Sequence, residues 1–281
     1  MPTCVRWPRP SREPDLSDAS ELLQPLIYTA MRAGGAIMAV YGTDFSVRDK
    51  ADASPVTAAD EAAEKIILAD LARLAPDIPV VAEEAVAAGH TPVISSATGT
   101  ERFFLVDPLD GTREFVSHRD EFTVNIALIE GGKPLLGIVY APARHELYWG
   151  DVGAGQAGHL GSDPDGTMPS KGVAISARRA PTEGWTAVAS RSHRTPETDD
   201  FLAKFPIREF RSIGSSLKFC LVASGEADIY PRLGTTMEWD TAAGHAVLAA
   251  AGGRVTGLAG EPFTYGKADF RNGNFVAWGR D

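Results

Sequence analysis

Cysteine is nearly absent: Cys4 and Cys220 are the only two in 281 residues. They cannot supply a disulfide framework, and Cys220, set in an apolar helical stretch, reads as a small buried hydrophobe. Redox chemistry is therefore not expected. Nor does any apolar run approach the ~20 residues that a membrane helix needs, so no integral membrane segment is expected. Positive charge is also short, with 27 Lys and Arg against 37 Asp and Glu and a formal net charge of -10. That balance argues against a nucleic acid polymer, whose affinity rests on basic residues neutralising phosphates. It does not exclude a small phosphate ester, because bound divalent ions invert the local sign of an acidic pocket.

What is present fits a soluble globular chain: 44% hydrophobic and 23% charged residues, with length for one large or two small domains. The first twenty residues mix Pro, Arg, Asp and Ser without an apolar segment of the kind a secretory signal needs. They read as a flexible tail, and the expected location is cytoplasmic, with peripheral association at the inner membrane left open. The expected division is a tail over 1–19, a metal-binding α+β half over 20–155 and a substrate-binding α/β half over 156–281.

Apolar residues recur at three and four from Leu22 to Met38, the period of an amphipathic helix over 19–41. Pro25 suits a first turn, so the regular helix is expected to begin nearer Leu22. Thr57 is a natural N-cap for a second helix to Leu74, with Asp60 in its first turn. Strand patterns follow at 80–82, 103–106, 122–129, 135–140 and 146–149, with Glu130-Gly131-Gly132-Lys133 as a hairpin turn. The Gly-, Asp- and Pro-rich stretch 150–171 reads as a loop or flap. Beyond it, short strands near 187–189, 207–210, 228–230 and 274–277 alternate with helices at 196–205, 215–223 and 241–251, an α/β pattern.

Three of these element ends carry acids. Asp107-Pro108-Leu109-Asp110-Gly111-Thr112 closes the apolar run 102–106, Glu83-Glu84 closes 78–82, and Trp239-Asp240 opens the Ala-rich helix. In open α/β sheets, ligands gather at the carboxyl ends of strands. Taken singly, each has an ordinary alternative: Asp-Pro and Asp-Gly are turn chemistry, Glu83-Glu84 is a solvated loop start, and Asp240 is a helix N-cap. Taken together, they offer oxygen donors with no Cys or His close by, which selects a hard cation such as Mg²⁺.

These three segments, together with Ala251-Gly252-Gly253, resemble the signatures of the inositol monophosphatase superfamily of metal-dependent, lithium-sensitive phosphatases. Four further stretches are similar to its bacterial 3'(2'),5'-bisphosphate nucleotidase branch, the CysQ type. They are Ser54 to Asp60, Glu121 to Ile129, Gly137 to Pro142 and Gly214 to Cys220. The similarity runs from about residue 20 to residue 281. It implies a layered αβαβα sandwich of the inositol monophosphatase and fructose-1,6-bisphosphatase type, with the active site between the halves.

The resemblance also implies roles. One metal would take Glu83, Asp107 and the Leu109 carbonyl, and the other Asp107, Asp110 and Asp240. Thr112 and Asp60 resemble the family's water-activating pair. Helix capping is the competing role for Thr112, since Gly111-Thr112-Arg113 opens a short helix whose N–H groups also suit a phosphate. Gly214-Ser215-Ser216 and Lys218 are candidates for an anion or ribose, with a plain N-cap as the alternative. Arg232 stands where inositol phosphatases carry an acid and would suit a second phosphate. Arg191 and His193 are further pocket candidates, His193 being by default a loop histidine.

The implied activity is Mg²⁺-dependent removal of the 3'-phosphate of adenosine 3',5'-bisphosphate, giving AMP and phosphate and supporting sulfur assimilation. The sulfated analogue is a second candidate substrate. Inositol monophosphatase or fructose-1,6-bisphosphatase activity is the alternative, and a non-catalytic nucleotide or metal sensor is the reading of another class. The expected partner is a small phosphorylated nucleotide, and the oligomeric state is not legible.

Overall fold

The computed structural model describes residues 19–42, 47–49, 55–94, 102–161, 172–189 and 195–281. Cys4 and the tail up to residue 18, Arg191, His193 and the capping side chain of Thr57 lie outside the described set. The chain opens with α1 (Ser20–Tyr41), β1 (Val47–Asp49), β2 (Pro55–Thr57), α2 (Ala58–Leu74), β3 (Val80–Ala82) and α3 (Glu83–Ala87). β4 (Arg102–Asp110), α4 (Thr112–Val116), β5 (Thr123–Glu130), β6 (Lys133–Ala141), β7 (Glu146–Asp151), β8 (Gln156–Gly161) and β9 (Val173–Ala174) follow. Strands β3 to β9 form one seven-stranded sheet in sequence order, parallel between β3 and β4 and antiparallel elsewhere.

Why this sheet is nearly uniformly apolar follows from what covers it. Side chains alternate between faces along a strand. Phe104, Val106, Val124, Ile126 and Leu128 pack with α1 and α2 on one face, while Phe103, Leu105, Ala127 and Ile129 join the core on the other. A sheet buried on both sides needs hydrophobes at every position.

α1 begins at Ser20, earlier than expected, with Pro25 inside it. The ring removes one helical donor, but burial of Leu22, Leu26, Ile27, Ala30 and Ile37 outweighs that loss. Arg32 and Thr29 of α1 both donate to Asp70 of α2, fastening the pair.

The second half contains β10 (Trp185–Ala189), α5 (Pro196–Leu202), β11 (Ile207–Ser212), α6 (Leu217–Ala223), β12 (Ile229–Arg232) and β13 (Thr236–Met237). It ends with α7 (Ala242–Ala250), β14 (Arg254–Thr256), β15 (Arg271–Asn272) and β16 (Phe275–Trp278). Its main sheet runs in the order β11-β10-β12-β16-β14. α6 and α7 lie between the two sheets, with Phe219, Cys220, Ala243 and Val247 sharing one core with Val188, Tyr230 and Phe275. α5 closes the outer face through Leu202 and Phe201. The layers are therefore α1/α2, large sheet, α6/α7, small sheet and α5, the expected αβαβα sandwich.

α7 sits so low on the large sheet that a Cβ at Gly137 would stand 2.4 Å from the Ala243 carbonyl oxygen. Only glycine fits that approach, and it seats the helix that begins just after Asp240.

The stretch 150–171 is not all loop. β7 reaches Asp151 and β8 pairs with it, so the large sheet continues past residue 155 to Ala174. Glycines and aspartates hid the strand, because ladder pairing is made by backbone and the partner strand supplies the packing. Helix α5 stops three residues before the expected end, and α6 starts at Leu217 rather than at residue 215. Among the described residues no helix is long and apolar enough to cross a membrane.

Candidate functional site

β4 runs through the Asp107 motif, and its pairing with β5 skips there: Asp107 faces Asn125, Asp110 faces Thr123, and Pro108 and Leu109 bulge between. The bulge re-aims both aspartates from one strand end. Gly111 then takes φ 92, a conformation costly for other residues, and leads into α4. The Leu109 N–H donates to Asp107 Oδ1 at 3.1 Å, and the Thr112 hydroxyl donates to the Leu109 carbonyl at 3.2 Å.

Asp107 is buried, and four other carboxylates surround it. Burial, followed in order by Glu83, Asp110, Asp240 and Asp60, holds its carboxyl well above the usual range. Asp240 is raised as well, by burial, then Asp110 and Glu83, while Arg232 pulls it down. Acids from the ends of β4, α2 and α3 and from the start of α7 thus meet in one place.

Among the described residues no three acidic, His or Cys side chains already stand in metal-ligating geometry. The fit to a cation rests on electrostatics and donor type. Mutually repelling carboxylates, with Asp60 and Asp107 buried and Glu83, Asp110 and Asp240 half-buried, offering only oxygen donors, are the setting that a hard divalent ion relieves.

Glu83 and Glu84 are not a solvated loop start. They open α3, and Glu64, one turn after Asp60 on α2, accepts the Glu84 N–H at 2.9 Å. Burial holds the Glu64 carboxyl up at about 7 although that amide pulls the other way.

The turn before α6 behaves differently from a simple anion cradle. Ser215 takes φ 55, and its hydroxyl donates to Asp110 Oδ2 at 2.7 Å and is in contact with Thr123 Oγ1. Ser216 Oγ lies 3.1 Å from Asp110 Oδ2 and 2.9 Å from the Asp240 carbonyl oxygen. The Gly214 N–H donates to Glu121 Oε2 at 2.8 Å.

Lys218 is buried, with Nζ 2.5 Å from the Ser215 carbonyl oxygen and over the Tyr230 ring. Burial lowers its pKa to about 8, with Asp110 opposing and Arg232 adding to the drop. The ammonium therefore braces the turn from beneath. Arg232 lies close enough to both Asp240 and Lys218 to shift them, and its buried Nε has no hydrogen-bond partner among the described residues.

Sequence reasoning singled out the acids, Thr112 and the Gly214–Ser216 turn, and the structure brings them together. It missed Glu64, Thr123, Asn125 and Glu121. The available signal was Thr123 and Asn125, two polar residues at alternate positions of a strand otherwise apolar up to Glu130, on the same face.

The chain matches the model of the inositol monophosphatase family over residues 18–279. It is 46% identical over 246 residues to a protein of Shigella flexneri named 3'(2'),5'-bisphosphate nucleotidase CysQ, covering 87% of this chain and 94% of that one. The protein of the same name from Escherichia coli strain K12 matches at the same identity and coverage. Among solved structures, CysQ from Bacteroides thetaiotaomicron, described as a bacterial member of the inositol monophosphatase family, superposes with a TM-score of 0.77 at 36% identity. That match covers 95% of this chain and all of the other.

Proposed function

Because the chain belongs to the inositol monophosphatase family, we propose that it is a cytoplasmic, Mg²⁺-dependent 3'(2'),5'-bisphosphate nucleotidase that releases the 3'-phosphate of adenosine 3',5'-bisphosphate. One observation carries the chemistry: carboxylates from both halves crowd around the buried Asp107. The similarity to the CysQ proteins supports the choice of substrate.

Glu83, Asp107 and the Leu109 carbonyl would hold one Mg²⁺, and Asp107, Asp110 and Asp240 the other. Bound there, the ions supply charge neutralisation at the phosphoryl oxygens, a more acidic attacking water and relief of charge on the leaving oxygen. Thr112 orients that water, with Asp60 as the base behind it, so no histidine is needed. The first N–H groups of α4, at Gly111 and Thr112, have no helical acceptor and take phosphate oxygens. Lys218 supports the Gly214–Ser216 turn, and Arg232 takes the second phosphate with the Nε that now lacks a partner.

The test is phosphate release from adenosine 3',5'-bisphosphate, inositol 1-phosphate and fructose 1,6-bisphosphate at equal Mg²⁺. The highest kcat/KM is expected for the nucleotide. Preference for either sugar phosphate would replace the substrate assignment and keep the metal site, because those activities share every ligand. Absence of turnover on all three, with metal still bound, would favour a sensor.

A further inference from the structure

We infer that Asn125 and Ser216 form a positioning clamp that sets the spacing between Asp110 and Asp240 and so assembles the second metal position from the two halves of the chain. This rests on the two-metal reading above. Asp110 ends β4 and Asp240 precedes α7, so the two carboxylates have no local backbone geometry in common. What links the two segments is Ser216, whose single hydroxyl proton is shared between Asp110 Oδ2 at 3.1 Å and the main-chain carbonyl oxygen of Asp240 at 2.9 Å, while the Asp240 carboxylate accepts the Met237 N–H at 2.8 Å. Asn125 Nδ2 donates to that hydroxyl at 2.9 Å and reaches Asp110 Oδ2 at 3.4 Å. Thr123 Oγ1 donates to Asn125 Oδ1 at 3.0 Å, which fixes the edge that the amide presents.

Geometry on β5 explains why these residues serve. Register places Asn125 across from Asp107 and Thr123 across from Asp110, and residues two apart share a face. Asn125, Thr123 and Ser216 are all buried, where a polar group stays only if it is satisfied. With the Ser215 hydroxyl at 2.7 Å, Asp110 Oδ2 is crowded by neutral donors, which leaves Oδ1 as the oxygen available to a cation. Neutral donors orient the carboxylate without cancelling the charge that the ion needs. A lysine in the same place would compete with the metal. The serines are thereby committed to Asp110, where the sequence offered them to sugar or phosphate.

The experiment is isothermal titration of Mg²⁺ into the parent, Asn125→Leu and Ser216→Ala, with melting temperature in chelator and KM for adenosine 3',5'-bisphosphate at saturating Mg²⁺. Partners that orient metal ligands are typically worth about 10- to 100-fold in metal affinity. The parent should bind in two events. In both variants one and the same event should lose affinity by about that factor, with the other event, the chelator melting temperature and KM little changed. Unchanged metal affinity with a raised KM in Ser216→Ala would make Ser216 a substrate contact and overturn the clamp. Equal weakening of both events would show general loosening and overturn it too. Ser216→Ala removes a single oxygen and carries the test if Asn125→Leu does not fold; its own failure to fold would assign the hydroxyl to stability instead. A parent that binds no divalent ion would defeat the two-metal reading itself, a separate result from an unaltered variant.

Discussion

Lys267 Nζ stands 2.9 Å from Glu238 Oε1, two residues ahead of Asp240. Glu238 is fully buried and also accepts the N–H groups of Gly266 and Lys267. The same ammonium donates to Asn272 Oδ1 at 3.1 Å, while Asn272 Nδ2 donates to the Met237 carbonyl and to Thr241 Oγ1. Tyr265 and His245 extend the network beneath α7. The loop bearing Asp240 is thus fastened from below by an ion pair and a ladder of hydrogen bonds. Removing one partner from such a buried network is costly, because it strands the others without partners.

His245 makes that network sensitive to acid. Burial lowers its pKa from 6.5 to about 3, so below pH 6.5 the unfolded chain takes up a proton that the folded chain refuses. Its contribution to stability is therefore full above pH 6.5 and is lost as pH falls toward 3. From pH 7 to pH 5 the loss is about 2 kcal/mol. Glu64, raised to about 7, acts in the opposite sense, losing stability as pH rises from 4.5 through 7. The readout is therefore the difference between parent and His245→Gln in urea melts at the two pH values. Parallel curves would show that His245 titrates normally in the folded state.

Asp107→Asn should abolish phosphate release and leave the metal-free protein at least as stable as the parent. Burial and then its neighbours' repulsion disfavour the ionised Asp107 carboxyl, so removing the acid relieves a cost that a bound proton or a cation otherwise offsets. Activity assays and melts in chelator check both halves. Near-normal turnover at saturating Mg²⁺ would remove Asp107 from the metal site, and a large fall in melting temperature would recast it as structural.

Thr112→Ala should lower kcat by about 10²- to 10⁴-fold while KM moves little, as expected when help is given mainly in the transition state. The hydroxyl's contact with the Leu109 carbonyl puts it at the motif without using it to cap α4. If KM rises and kcat holds, Thr112 binds phosphate and does not position water.

Much of this was legible in the sequence. α1, α2 and the β5–β6 hairpin follow from periodicity and turn chemistry, and the acids cluster because strand and helix ends converge at one edge of the fold. β8 was hidden by its glycines. Thr123 and Asn125 were hidden inside a strand whose pattern already accounted for them. The direction of Lys218 depends on the left-handed Ser215, and no local rule predicts that a serine will adopt φ 55. Glu238 and Lys267 lie too far apart in sequence for a helix or hairpin to pair them, so only the tertiary fold reveals their contact.

Arg232→Glu should discriminate against a doubly phosphorylated nucleotide. The guanidinium lies near enough to Asp240 and Lys218 to shift both, so it borders the site from the second half, and its buried Nε is a donor still to be used. A charge-assisted contact is worth roughly 1.5 to 3 kcal/mol, or about 10- to 150-fold, and replacing it with a carboxylate adds repulsion. The measurement is kcat/KM for adenosine 3',5'-bisphosphate against 3'-AMP in parent and variant. The ratio should fall by at least tenfold, with 3'-AMP the less affected substrate. Equal losses on both substrates would place Arg232 on the scissile phosphate or on Asp240 itself. An unchanged ratio at full activity would mean that it reads neither phosphate, and the preference for a bisphosphate would then have to come from outside the β12 strand that carries it.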